Sequence, residues 1–292
     1  MYKCVFVILH YLNIEETRDC IASLKKCTSV EDIVVVDNAS PNGSGKALQT
    51  EFIKDQKVHI ILNRENSGFA EGNNIGYRYA KQKLGANFIV CINNDTIIDD
   101  ESFIEKIYTI YQNSKFDVLG PDVFNPISQV HQSPIRGHCM TEADLKFILR
   151  NLRKVQVVIY AKQFLSMLHL RSYTNQKDNL NTQKQLSPSS DVVIHGACVI
   201  YGPGYIQNEN NAFVNGTFMY FEEDLLKLQC VLHDYKMLFD PQIGILHLEG
   251  KSTASSVKSN FRKDLFVLKQ SKKSLKVCKL MLKRAGLING EI

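Results

Sequence analysis

Four apolar runs, residues 5–9, 33–36, 58–62 and 89–92, carry β-branched and other apolar side chains on nearly every position instead of alternate ones. A strand with that pattern is buried on both faces, as in a parallel sheet covered by helices. Between and after these runs the apolar positions recur at helical spacing over 17–26, 45–54, 70–84 and 103–111, which predicts four helices. From residue 3 to about 123 strand and helix therefore alternate, and right-handed βαβ crossovers follow from that order. The rhythm stops over about 134–190 and returns as a sheet-like pattern at 192–201, followed by a last helical region at 261–282. No internal repeat is present.

The chain has 292 residues and 44% hydrophobic content, enough for one sizeable core with a smaller appendage. Its net charge of +5 is unevenly spread. Between 145 and 177 stand Lys146, Arg150, Arg153, Lys154, Lys162, Arg171 and Lys177 with no Asp or Glu. Interleaved Leu145, Phe147, Ile148, Leu149, Leu152, Val155, Val157, Val158 and Ile159 make this a basic amphipathic helix. The polar stretch 172–190 is expected to be irregular and mobile. The C-terminal region is again basic, from Arg262 to Arg284. The eight cysteines include no Cys-x-x-Cys pair, which argues against zinc or redox chemistry and for a reducing compartment. The N-terminal apolar run is too short for a secretory signal, and no run approaches a membrane span, so a cytoplasmic protein with at most peripheral membrane contact is expected.

Four patches lie where an open α/β sheet presents its strand ends: 34–44, 66–76, 93–96 and 220–224. Ligands of such sheets bind there, which points to a nucleotide-binding enzyme. Asp37 closes an apolar strand, and an ionised carboxylate there can accept hydrogen bonds from a base imide or a ribose hydroxyl. Shaping the turn with Ser40 is the equal alternative. In the second patch Gly68 and Gly72 permit close backbone approach, and Asn73 and Asn74 extend a helix whose N-terminal amides favour an anion. No Gly-x-x-x-x-Gly-Lys-Ser/Thr run is present, and no Gly-x-Gly-x-x-Gly follows the first strand, which disfavours a P-loop NTPase and a dinucleotide oxidoreductase.

Asp37-Asn38-Ala39-Ser40 with Gly43-Ser44, and then Asn66-Ser67-Gly68-Phe69-Ala70-Glu71-Gly72-Asn73-Asn74-Ile75-Gly76, resemble the nucleotide-sugar half of the family 2 glycosyltransferases. The resemblance is strongest to rhamnosyltransferase-like members that build bacterial surface polysaccharides such as capsule or O-antigen, and it covers about 5–253 apart from the insertion. It implies a GT-A fold: an α/β, Rossmann-like, mostly parallel central sheet flanked by helices, here with a basic helical insertion and a basic C-terminal helical tail. The corresponding division is a glycosyltransferase domain over 1–257, with a donor half 1–125, an insertion 134–190 and an acceptor half 191–257, then a tail 258–292.

By the same resemblance Tyr11, Asn13, Asp37, Ser40, Asn66, Gly68, Phe69, Gly72, Asn73, Asn93 and Asn94 would line the nucleotide sugar. Asn93-Asn94-Asp95-Thr96 stands where the family keeps an Asp-x-Asp motif, with Asn93 replacing the first aspartate. Asp95, with His247 from the late His-x-x-Gly-x-Ser segment, would hold a divalent cation, Mg²⁺ or Mn²⁺; Lys251 and Ser252 would meet phosphate. Glu222, Glu223 and Asp224 leave the register of the base open between Glu223 and Asp224, with Asp224 taken first. Gly196-Ala197-Cys198 matches a strand before the acceptor site, where Cys198 reads as a small core residue.

The implied reaction is inverting transfer of rhamnose, galactofuranose or another hexose from a nucleoside diphosphate sugar to a saccharide or lipid-linked acceptor. A glycosyltransferase-like scaffold that binds nucleotide or membrane without catalysis is the alternative. The two basic segments suit the surface of an anionic membrane, or equally a solvated face or a homodimer contact. Nucleic acid fits less well, because aromatics are not interleaved as stacking platforms.

Overall fold

The computed structural model describes residues 2–167, 184–249 and 260–288. In chain order it runs β1 (Cys4–His10), α1 (Ile14–Leu24), β2 (Asp32–Asp37), α2 (Ser44–Glu51), β3 (Val58–Leu62), α3 (Gly68–Gln82), β4 (Phe88–Asn93) and β5 (Thr96–Ile97). There follow α4 (Phe103–Ser114), β6 (Val118–Asn125), β7 (Val130–His131), α5 (Glu142–Met167), β8 (Cys198–Tyr201), α6 (Pro203–Asn208), α7 (Glu222–Leu232), β9 (Met237–His247) and α8 (Asn260–Arg284).

The strands form one sheet in the order β3-β2-β1-β4-β8-β6-β9-β5, with β7 paired to β6. The β1–β2, β1–β4, β2–β3 and β6–β9 pairs are parallel, whereas β8, β5 and β7 run antiparallel to their partners. The sheet is thus mostly parallel, as the unbroken apolar runs require. Alternate residues of each run serve opposite faces: Cys4, Phe6 and Ile8 pack with α1 and α4, while Val5 and Val7 pack with α3.

Element boundaries follow local chemistry. Helix α1 starts earlier than the apolar spacing predicts, because Asn13 caps it and accepts the Glu16 N–H at 3.5 Å. The sheet-like run 192–201 is strand only from Cys198; before it the chain makes two isolated bridges, Val193 with Arg136 and Ser189 with Phe239. Strand β9 is not marked by its sequence, since Pro241 and Gly244 interrupt it. Its pairing with β6 shifts register opposite them, between Pro121 and Asp122.

Both basic segments form helices, and each buries its apolar stripe. Leu145 of α5 and Leu275, Cys278, Met281 and Leu282 of α8 close a third core over Leu225 and Leu228 of α7. Ring contact between Tyr160 and Phe261 and a 2.6 Å bond from Lys272 Nζ to Gln156 Oε1 set the two helices side by side, antiparallel. Arg171, Lys177 and most of the polar 172–190 stretch lie outside the described residues, as do Lys251 and Ser252. All eight cysteines are unpaired, and burial pushes the thiol of Cys198 far up, consistent with an inert core residue. Among the described residues no helix is long and apolar enough to cross a membrane.

Candidate active site

Strands β2 and β3 extend to one side of β1 while β4 lies on its other side. That reversal is the switch point at which open α/β sheets bind their ligands, beyond the C-terminal ends of the strands. Asp37 closes β2 there, almost fully buried, and its carboxylate oxygens accept the Ser40 N–H at 3.2 and 3.4 Å. Ser40 Oγ in turn accepts the Leu12 N–H at 2.9 Å, tying the β1–α1 loop to the β2–α2 loop. A side chain on Gly45 would stand 2.1 Å from Asp37 Oδ2, so the start of α2 is bare where the carboxylate lies.

A buried polar chain leads from Asp37 to the end of β4. His10 Nε2 is 4.0 Å from Asp37 Oδ1 and 2.8 Å from Ser44 Oγ, and its Nδ1 is 2.7 Å from Thr17 Oγ1. Asn94 Nδ2 donates to the same Thr17 oxygen at 3.1 Å. Asp95, the next residue, faces His247 across 3.4 Å, Oδ1 to Nε2. His247 is oriented from behind. Gln132 donates through Nε2 to Glu249 Oε1 at 2.5 Å, which leaves its Oε1 to accept His247 Nδ1–H at 2.8 Å. Nε2 is then the ring nitrogen left facing Asp95, and an outer partner on Nδ1 is how metal-ligating imidazoles are oriented.

Two neighbouring histidines are neutral. Burial pushes His10 down to about 4, and burial with the adjacent His247 does the same to His195, against 6.5 for the free side chain. His195 Nδ1 accepts the Ala197 N–H at 3.0 Å, so its proton resides on Nε2. A histidine depressed in the fold adds stability that is complete above pH 6.5 and is lost as pH falls toward about 4. For His10 that is up to about 3 kcal/mol. Urea midpoints are therefore expected to fall steeply from neutral to about pH 5. His10→Gln, which can still bond Thr17 and Ser44, should flatten the fall, and identical slopes would contradict the assignment.

On the opposite wall Tyr220 and Phe221 both take left-handed backbone conformations, φ 77° and 68°, as the chain enters α7. Non-glycine residues pay for such φ values in strain, which concentrates at functional sites. The three acids that follow diverge. Glu222 is buried toward α8, and burial with Glu223 alongside pushes its carboxyl up to about 7. Asp224 forms an ion pair with Arg136. Glu223 Oε1 accepts the Gly196 N–H at 3.3 Å, and burial raises its carboxyl as well. A Cβ on Gly196 would come within 2.6 Å of that oxygen. Gly196 lies between His195, whose ring is 5.5 Å from His247, and Ala197, whose carbonyl accepts the Asn93 N–H at 2.9 Å. Glu223 is thus the acid set on the Gly196 turn, next to His195 and the strand that meets Asn93.

Glu222 yields an independent prediction. A carboxyl raised in the fold is most favourable below its free value of 4.5 and destabilises as pH rises through about 7. Glu222→Gln should therefore raise stability by about 2–3 kcal/mol near pH 8 and leave it unchanged near pH 4. Denaturant titrations showing no gain near pH 8 would refute it.

Several residues anticipated at the nucleotide turn out to hold the protein together. Gly72 fits against Leu9, whose Cδ1 would be 2.5 Å from an added Cβ, so the close approach it permits is helix on strand. Asn73 Nδ2 bonds back to Phe69 O at 3.0 Å, and Asn74 is stapled to Phe213 and Asn215. Gly68, at φ +84°, is pressed against Phe218, whose carbonyl accepts the Phe69 N–H at 2.7 Å. That contact joins the donor loop to the segment leading to Glu223. Asn66 Oδ1 accepts from Asn38 Nδ2 and Gly68 N, both at 3.0 Å. Tyr11 and Asn13 flank Leu12 in the β1–α1 loop, where Asn13 serves as the cap of α1. His10, Thr17, Gly45 and Gln132 escaped the sequence reading, and Asn38 entered it only as part of the Asp37–Ser40 motif, without a role; of the other four, only His10, a polar residue ending a buried strand, left a signal there.

The family model for glycosyl transferase family 2 matches residues 5–173, more than half of the chain. Among curated proteins, the low-salt glycan biosynthesis hexosyltransferase Agl10 of Haloferax volcanii is 27% identical over 119 residues, 41% of this chain and 36% of its own. The dTDP-rhamnosyl transferase RfbF of Shigella flexneri is 35% identical over 103 residues, 35% of this chain and 32% of its own. The matched stretch spans about a third of these relatives' length. A crystal structure of residues 1–349 of S. aureus TarS superposes with a TM-score of 0.54 at 12% identity, covering 91% of this chain and 69% of that one. A second, in complex with UDP-GlcNAc, gives 0.54 at 13%, covering 91% and 65%. At such identity the likeness is one of fold.

Proposed function

Since the chain belongs to glycosyl transferase family 2, we propose that it transfers a sugar, with inversion, from a nucleoside diphosphate donor to a hydroxyl of a saccharide or lipid-linked acceptor. One observation carries the reading. The polar chain Asp37–His10–Thr17–Asn94 runs to Asp95 and His247, and Glu223 is set against the Gly196 turn beside them. The TarS structures in complex with UDP-GlcNAc and with UDP support a nucleotide-sugar donor. The similarity to the dTDP-rhamnosyl transferase supports a deoxyhexose or hexose donor.

In this mechanism Asp37 accepts hydrogen bonds from the base or ribose, and the Ser40 N–H bonds hold its carboxylate in place. Glu223 removes the acceptor hydroxyl proton as that oxygen attacks the anomeric carbon from the face opposite the diphosphate. The electron pair of the broken glycosidic bond leaves on the diphosphate oxygen. Burial makes Glu223 a stronger base than a free carboxylate, whereas Asp224 is paired with Arg136; the proton-accepting role therefore goes to Glu223 in place of Asp224, the residue the sequence favours. His195, neutral with its proton on Nε2, can donate to a phosphate oxygen.

Asp95 Oδ1 and His247 Nε2 would hold a divalent cation at the diphosphate, a carboxylate and imidazole pair that suits Mn²⁺ at least as well as Mg²⁺. Among the described residues no group of three His, Cys, Asp or Glu side chains gathers as a protein cage. Such a cation would neutralise charge on the departing diphosphate. Gln132→Leu removes the acceptor that orients His247 and should raise the Mn²⁺ concentration for half-maximal turnover by about 10–100-fold, with kcat at saturating Mn²⁺ retained. An unchanged Mn²⁺ requirement would contradict that role.

The reading is tested by screening UDP- and dTDP-sugars with Mn²⁺ and a saccharide acceptor. Release of nucleoside diphosphate with glycoside product is expected, and donor binding without any consumption would indicate a scaffold.

A further inference from the structure

The outward faces of α5 and α8 carry two stripes that the fold leaves largely exposed. On α8, Phe266, Lys269, Lys273, Lys276, Leu280 and Lys283 recur at alternating spacings of three and four, and every one is exposed. On α5, Phe147, Arg150, Lys154 and Val157 repeat that spacing, again all exposed, with Val158 beside them. Val157 is 68% and Leu280 61% exposed, unusual for aliphatic side chains on helices that already bury a full apolar stripe elsewhere. Both helices stand on α7 by their buried faces and lie side by side, so the two stripes look out on the same side. The surface is single-signed: after Asp144 no acid occurs on α5, and Asp264 is the only one on α8, near its start.

We infer that this two-helix plate docks on the surface of an anionic phospholipid bilayer, lysines and arginines among the headgroups and Phe147, Val157, Val158, Phe266 and Leu280 at the acyl boundary. Basic residues near an anionic leaflet are each attracted to it, and apolar side chains beside them add burial that a purely electrostatic contact lacks. Nucleic acid explains the charge but leaves the aliphatic residues without a role. The arginine-over-ring contact of Arg150 with Phe147, 5.8 Å to the centroid, already pairs the two chemistries on one turn.

The plate adjoins the reaction centre. Ser274 Oγ donates to Met219 O at 3.1 Å, and the Phe266 ring packs on Phe218 at 5.8 Å. Phe218 is the residue that grips the Gly68–Phe69 turn, and Glu223 follows it in the chain. A bilayer under the plate would hold the acceptor side of the crevice close to the headgroups and so select a lipid-linked acceptor. Docking stands on the surface alone; the acceptor consequence rests on the proposed transfer reaction.

The test is co-sedimentation of the full chain with vesicles of phosphatidylcholine containing about a third phosphatidylglycerol, against pure phosphatidylcholine vesicles and duplex DNA. K269E/K273E/K276E should lower partition to the anionic vesicles by about a hundredfold or more, and F147S/V157S/V158S by about tenfold. Both variants should keep the wild-type circular dichroism spectrum, since all six residues face solvent. No wild-type binding to anionic vesicles overturns the inference. So does apolar substitution without effect together with equal binding to DNA, which identifies a general polyanion surface. A concentration-dependent dimer dissolved by both variants, without vesicle binding, identifies the plate as a contact between copies. Because no turnover is read, a failure here leaves the transfer reaction standing, and a failed transfer assay leaves docking standing.

Discussion

Glu223→Gln is expected to lower kcat for transfer by about 10³-fold, within the range that a positioned general base supplies. The amide keeps the shape of the side chain and can still accept the Gly196 N–H, so donor KM should change little. Asp224→Asn should retain turnover within about tenfold, because that carboxylate faces Arg136 and lies outside the proton path. The contrast between neighbours is the informative part. A merely acidic helix start would complement the α7 dipole through either residue about equally, and equal losses in the two variants would fit that case instead. Steady-state kinetics of both variants, with one donor and one acceptor, decide the matter.

Gly68→Ala should be the most damaging small substitution in the molecule. An added Cβ would lie 2.2 Å from the Phe218 carbonyl oxygen and 2.7 Å from its Cα, backbone atoms that cannot swing aside. The backbone there, at φ +84°, is itself unfavourable for alanine. Strain and displacement together are expected to cost about 3–5 kcal/mol, read as a lowered urea midpoint. What folded protein remains should lose donor affinity, since the Phe69 N–H to Phe218 bond that joins the two walls can no longer form. Gly43→Ala is the matched control. It has a similar φ of +78° but nothing within 4 Å of an added Cβ, so about 1–2 kcal/mol is expected. Equal effects of the two would mean that backbone conformation, and not the Phe218 contact, sets the cost at Gly68.

The sheet was legible because parallel strands buried on both faces leave unbroken apolar runs, and β1 to β4 each carry one. Strand β9 was not, since Pro241 and Gly244 break the run, and only the register shift opposite them in β6 accommodates the break. At the site, Asp37 and Asp95 were readable as members of strand-end patches, whereas His247 was singled out only by the family resemblance of its segment. Their supports were not readable. Gln132 meets His247 across 115 positions, and His10 meets Ser44 across 34, so no local spacing reports either pair. The glycine-asparagine string shows the converse limit. Its residue types fit ligand contact and internal packing alike, and only the neighbours of Gly72 and Asn73 reveal Leu9 and the helix's own backbone as their partners. Among Glu222, Glu223 and Asp224 the register depended on two left-handed residues, Tyr220 and Phe221, whose turn no propensity announces.

The central claim is that one crevice holds the nucleotide by Asp37, the diphosphate beside Asp95 and His247, and the acceptor hydroxyl at Glu223. A crystal structure with a non-transferable nucleoside diphosphate sugar and Mn²⁺ tests it most directly. The expected complex has the base or ribose on Asp37, the cation between Asp95, His247 and the diphosphate, and the open face of the anomeric carbon turned toward Glu223. Donor density away from the ends of β1 and β4, or an anomeric carbon facing Asp224 with Glu223 behind it, would contradict it.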